Sequence, residues 1–130
     1  MEASNKGYTE TLNLLIDNGA DVELQDDNKM TALMIASNSG HIEIVKMLIK
    51  KGVNINYLDK YGRTALSIVS CDNGHIEIAK ILIEAGADVN INFNPNVNIQ
   101  NRNGKTALYW AKQYSNTEIV EMLKNAGAKE

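Results

Sequence analysis

Four glycines, Gly19, Gly52, Gly86 and Gly127, recur at intervals of 33, 34 and 41 residues, and the residues ahead of each repeat in type and order. Thr31, Thr64 and Thr106 mark a second register with nearly the same period. A chain written on such a period folds as a stack of small similar units, each of which buries its apolar face only against its neighbours. The registers divide the single domain into a partial unit over residues 1–25, full units over 26–58 and 59–100, and a closing unit over 101–130. The longest interval reflects an inserted stretch, residues 89–100.

One unit shows how the pattern works. Asp59-Lys60-Tyr61-Gly62 is turn-forming, and Thr64 follows where its hydroxyl can cap an orphan amide of a helix start. Ala65, Leu66, Ile68 and Val69 form a short helix that is expected to stop at Asn73-Gly74. A second helix starts near His75, with Ile76, Ile78, Ala79, Leu82 and Ile83 at helical spacing and Glu77 and Lys80 on another face. Ala85-Gly86-Ala87-Asp88 ends it. Neither helix is long enough to be stable alone.

This order of turn, Thr-x-Leu, two short helices with Gly-His between them, and a closing Gly-Ala-Asp-Val-Asn resembles the ankyrin repeat family. The resemblance implies an all-α solenoid of stacked helix-turn-helix units joined by β-turn or hairpin fingers. The chain departs from the family at Thr-Pro-Leu-His, which becomes Thr31-Ala32-Leu33-Met34, Thr64-Ala65-Leu66-Ser67 and Thr106-Ala107-Leu108-Tyr109. Alanine lacks the preset φ of proline at the first helical position. The hydrogen bonds of the family's histidine are lost with it.

The ends differ. Residues 7 to 25 align with a second helix and its exit, so the chain is read as starting inside a unit, as a natural half-repeat cap or as part of a longer protein. Thr9 and Thr11 stand where Ile42 and Ile44 stand in the next unit, which favours a cap. Leu12, Leu15 and Ile16 would then expose apolar surface, and a homodimer through this half-repeat would cover it. The polar tail from Lys124 to Glu130 reads as a C-terminal cap and a true terminus.

Composition narrows the function classes. A net charge of −3, with Lys and Arg spread along the chain, gives no polyanion-binding footprint, so nucleic acid is not an expected partner. No apolar run approaches the roughly 18 residues of a membrane span, and Met1 to Lys6 lacks a signal peptide's apolar stretch. An intracellular, cytoplasmic protein is expected. Cys71 is the single cysteine and forms no internal disulfide. Cys71-Asp72-Asn73-Gly74-His75 brings a thiol, a carboxylate and an imidazole together, but it offers only two soft ligands and its counterpart reads Asn38-Ser39-Gly40-His41. Catalysis, metal and cofactor are therefore not expected.

The resemblance implies a protein partner, held by turn tips and the first-helix surface on a concave face. Position by position this gives Asp27, Asn28 and Met30, with Asn38 and Ser39; Lys60, Tyr61 and Arg63, with Cys71, Asp72 and Asn73; and Arg102, Asn103 and Lys105, with Gln113 and Tyr114. Tyr61, Arg63, Arg102 and Tyr114 are favoured, because Tyr and Arg are enriched at binding hot spots. The inserted stretch alternates apolar and polar residues from Val89 to Gln100 and is read as an extended hairpin finger turning at Asn94-Pro95-Asn96. Phe93 would be its contact residue, and a tolerated loop is the other reading. Trp110 shares a register with Ile35 and Ile68 and is expected to pack between units. His41 and His75 are expected to serve packing and hydrogen bonding. The alternative to an interaction module is a structural or regulatory fragment of a larger ankyrin-containing protein, packed on another domain.

Overall fold

The computed structural model describes residues 2–71, 75–91 and 106–129, with side chains from residue 9 onward. Thr31, Thr64 and Thr106 each adopt extended backbone and accept, through Oγ1, the amide of the residue three positions on. They open the first helices α2 (Ala32–Ser39), α4 (Ala65–Ser70) and α6 (Ala107–Gln113). At Thr64 the cap is reciprocal, since Ser67 Oγ accepts the Thr64 amide at 2.8 Å. Ser67 stands where the family has histidine, so that departure creates a capping box.

The second helices are α3 (Ile42–Lys50), α5 (Ile76–Glu84) and α7 (Thr117–Asn125), and α1 (Glu2–Asp17) precedes them all. First helices pack in one row, α2 on α4 and α4 on α6, and each rests on its own second helix. The second helices form the other row, α1 on α3, α3 on α5 and α5 on α7. Leu33, Met34, Val45, Leu48, Leu66, Val69, Ile78, Leu82, Leu108, Ile119 and Leu123 fill the space between the rows as one continuous core. In the stretch read from the sequence as a partial unit, the structure has a single long helix, α1. Its 16 residues exceed the nine of each other second helix and run back through the positions of a turn and a first helix.

Two ladders of polar bonds hold the units in step. Glu23 Oε1 accepts the Asn54 amide at 2.8 Å, Asn56 Oδ1 accepts that of Asp88 at 2.9 Å, and Asn90 Oδ1 accepts that of Lys129 at 2.8 Å. The three acceptors share one position after the register glycines, and so do the three donors. The bond is made across the 41-residue interval as it is across the shorter ones, so the insertion does not break the stack. In the second ladder His75 Nε2 lies 3.1 Å from the Asn38 carbonyl, and Asn116 Nδ2 donates to that of Ser70 at 2.8 Å. His75 thus has the structural role expected of it. It also lies over Gly40, the helix stop at φ 76°, where an added Cβ would come within 2.9 Å of the imidazole.

Two other positions of this kind carry side chains. Lys29 (φ 60°) stands where the next unit has Gly62 (φ 78°), and Ser115 (φ 56°) shares the register of Gly40. Left-handed backbone is unfavourable for any residue with a Cβ. Lys29→Gly and Ser115→Gly are each expected to stabilise the fold by roughly 0.5–1 kcal/mol, after the extra unfolded-state freedom of glycine is allowed for. Urea denaturation of the single and double variants measures this, and a loss of stability in either would contradict it.

Candidate functional site

The two described turn tips are each built by one aspartate. Asp26 Oδ1 accepts the amides of Asn28 (2.8 Å) and Met30 (2.9 Å), and Asp59 Oδ1 accepts those of Tyr61 and Arg63, both at 2.9 Å. The backbone closes the same loops, with the Asp26 amide on the Met30 carbonyl and the Asp59 amide on that of Arg63. The tips also join one another, because the Lys60 amide donates to the Asn28 carbonyl at 2.9 Å. Their spacing is therefore fixed by the stack.

Of the two described tips, the one at Lys60–Arg63 carries the denser group of polar and aromatic side chains. Asp59 is buried, and its Oδ2 receives Arg63 Nε at 2.8 Å and Nη2 at 2.7 Å. That ion pair holds the guanidinium carbon 5.3 Å from the centre of the Tyr61 ring, and Lys60 Nζ lies 5.0 Å from the same point. Tyr61 is about half exposed. The result is an aromatic platform with two cations beside it, a combination suited to contact area and charge-assisted hydrogen bonds.

The first helices add an outward stripe. Ile35, Asn38 and Ser39 are all exposed and fall at i, i+3 and i+4 on α2; Trp110 and Gln113 of α6 and Tyr114, which caps its end, hold the same places. Trp110 meets Tyr109 edge to face at 5.2 Å and 82°, and its ring lies 6.4 Å from that of Tyr114. Where interior packing was expected, Trp110 is half-buried beside an exposed tyrosine. In the middle unit Ile68 is buried and Cys71 half-buried, with its Sγ donating to the Ser67 carbonyl at 3.2 Å.

Lys60, Tyr61 and Arg63 are thus brought together, with Asn28 bonded to them across the tips, and Gln113 and Tyr114 lie exposed beside Trp110. Asp27 and Asn28 are exposed, whereas Met30 is half-buried against the core. Asp72, Phe93, Arg102, Asn103 and Lys105 lie outside the described residues, as does most of the finger at 89–100. Ile35 and Trp110 were not among the expected contacts; their helical spacing from Asn38 and Gln113 is the signal that could have found them. A shallow groove of about 310 Å³ between α5 and α7 is lined by Lys80, Ile83, Glu84, Met122, Asn125 and Ala126, all on or beside second helices. Among the described residues no three His, Cys, Asp or Glu side chains are grouped to hold a metal, and no helix is long and apolar enough to cross a membrane.

Comparison with known families agrees with the geometry. A family model described as ankyrin repeats (3 copies) matches residues 1–93, and a second, ankyrin repeats (many copies), matches residues 67–123. No curated protein matches the chain.

Proposed function

The chain belongs to the ankyrin repeat family, whose members generally act as protein–protein interaction modules, and we propose that it binds a partner protein through its turn tips and the outward stripe of its first helices. The observation that carries this reading is the placement of exposed large side chains. On the three full units Ile35, Tyr61 and Tyr114 lie exposed on tips and first helices, while Ile76 alone is so exposed on a second helix among the described residues. Scattered surface apolar residues are ordinary, but aromatic ones beside Arg63, Lys60 and Trp110 form the kind of group that dominates binding energy. The stack supplies rigidity, so little ordering entropy opposes association on this side.

Affinity capture followed by titration calorimetry on the recovered partner tests the reading. Tyr61→Ala/Tyr114→Ala is expected to weaken binding by about 2 kcal/mol or more, roughly thirty-fold, with an unchanged circular dichroism spectrum. Undiminished affinity would place the contact elsewhere. The contribution of the stretch around Phe93 is tested in the same way by deleting residues 92–99. The alternative, a stack packed on another domain of a larger protein, draws support from the exposed Leu14 and Leu15 of α1.

A further inference from the structure

A second surface, separate from the tips, follows from comparing the four second-row helices. Leu15, Leu48, Leu82 and Leu123 occupy one position, four residues before the register glycine. The last three are completely buried, whereas Leu15 is 53% exposed. One residue earlier, Leu14 is 63% exposed where Met47 is buried, and Leu24 in the following turn is 69% exposed. The cause lies in the row arrangement. α3, α5 and α7 are each covered by a first helix of their own unit, and among the described residues α1 has none and packs on α3. Leu12 and Ile16 face that contact, leaving Leu14 and Leu15 outward.

Charge singles out one kind of occupant. Beside the exposed leucines, residues 9–24 hold four carboxylates, Glu10, Asp17, Asp21 and Glu23, and no Lys or Arg. Glu10 and Asp17 fall one turn before and one turn after Leu14 on α1, and both are exposed. Asp17 also pairs with Lys51 at 3.2 Å. A second copy meeting this face head to head would bring Glu10 and Asp17 of one copy against those of the other, which like-charge repulsion opposes. We infer that the outer face of α1 docks a short amphipathic helix of a partner protein, with a leucine-type stripe at i, i+3 and i+4 flanked by Lys or Arg. The stripe takes the place that α2, α4 and α6 fill on the other units, and the cations meet Glu10 and the neighbouring carboxylates. This surface is independent of the tips, so either reading can fail alone.

Fluorescence anisotropy with a labelled helical peptide of about 14 residues, bearing such a leucine stripe flanked by lysines, tests the inference. The counterpart with glutamate for lysine is the control. The lysine peptide is expected to bind at least about tenfold more tightly than the glutamate peptide, and Leu14→Ser/Leu15→Ser to weaken it about tenfold. Tyr61→Ala/Tyr114→Ala should leave it unchanged. Both serine substitutions fall on exposed side chains, and an unaltered melting curve checks that the fold persists. Equal binding by wild type and the serine variant, or none up to about 1 mM peptide, would overturn the inference. So would a light-scattering mass of twice 14.3 kDa that halves in the serine variant, because a second copy would then occupy the face.

Discussion

Leu82→Ala is expected to destabilise the protein by about 3–4 kcal/mol, and Leu15→Ala, at the same position of the half unit, by less than about 1 kcal/mol. Leu82 is fully buried in α5, which packs on α3, α4 and α7, so its truncation leaves a cavity that several elements would have to close. Leu15 already faces outward over half its surface, and removing it deletes little contact. The loss at Leu82 is a large share of the roughly 5–15 kcal/mol that a domain of this kind possesses. It also falls in the unit linking both ends of a one-dimensional stack, so the unfolding transition should broaden as the ends uncouple. Urea denaturation of both variants, read by Trp110 fluorescence and by circular dichroism, measures the difference. Equal losses would mean that α1 is as well covered as α5, which would also remove the basis for a docking face there.

The repeating parts of this fold are legible because each depends on bonds made within one unit. Threonine caps, positive-φ glycines and apolar spacing follow from local geometry, and Thr31, Thr64 and Thr106 all behave alike. What a single unit cannot reveal is burial that depends on place in the stack. Ile35, Ile68 and Trp110 share a position, yet only Ile68, whose helix has a first helix on each side, is buried. Lys112 shows the same effect. It is exposed in the closing unit where Ser37 and Ser70 are fully buried between units. The placement of the proposed contact residues was legible to a similar degree. Tyr61 and Tyr114 could be named from their tip and helix-end positions, but not the pairing of Arg63 with Asp59, because the preceding tip has Met30 in the place of Arg63 and its Asp26 remains exposed.

That difference between the two tips yields the other large effect. Asp59→Ala is expected to cost about 3 kcal/mol and to weaken partner binding, whereas Asp26→Ala should cost about 1 kcal/mol. Both aspartates accept two loop amides, so both substitutions release those donors. Asp59 differs in having a fully buried side chain that also receives Nε and Nη2 of Arg63. Its loss leaves a half-buried guanidinium without its counter-ion, and breaking such a pair is more costly than the pair's own net worth. Tyr61 loses its anchor in the same step, since its amide is held by Asp59 and its ring lies against Arg63. Asp59→Asn separates the two contributions: an amide oxygen in the Oδ1 position keeps the loop bonds while the ion pair is lost, so a stability between wild type and Asp59→Ala is expected. Arg63→Met reproduces the arrangement of the first tip, with Asp59 left as the loop acceptor alone. If the penalty at Asp59 arises from the ion pair, Asp59→Ala in the Arg63→Met background should cost no more than Asp26→Ala does. A penalty unchanged in that background would assign the effect to the loop amides and leave Arg63 free to serve the partner.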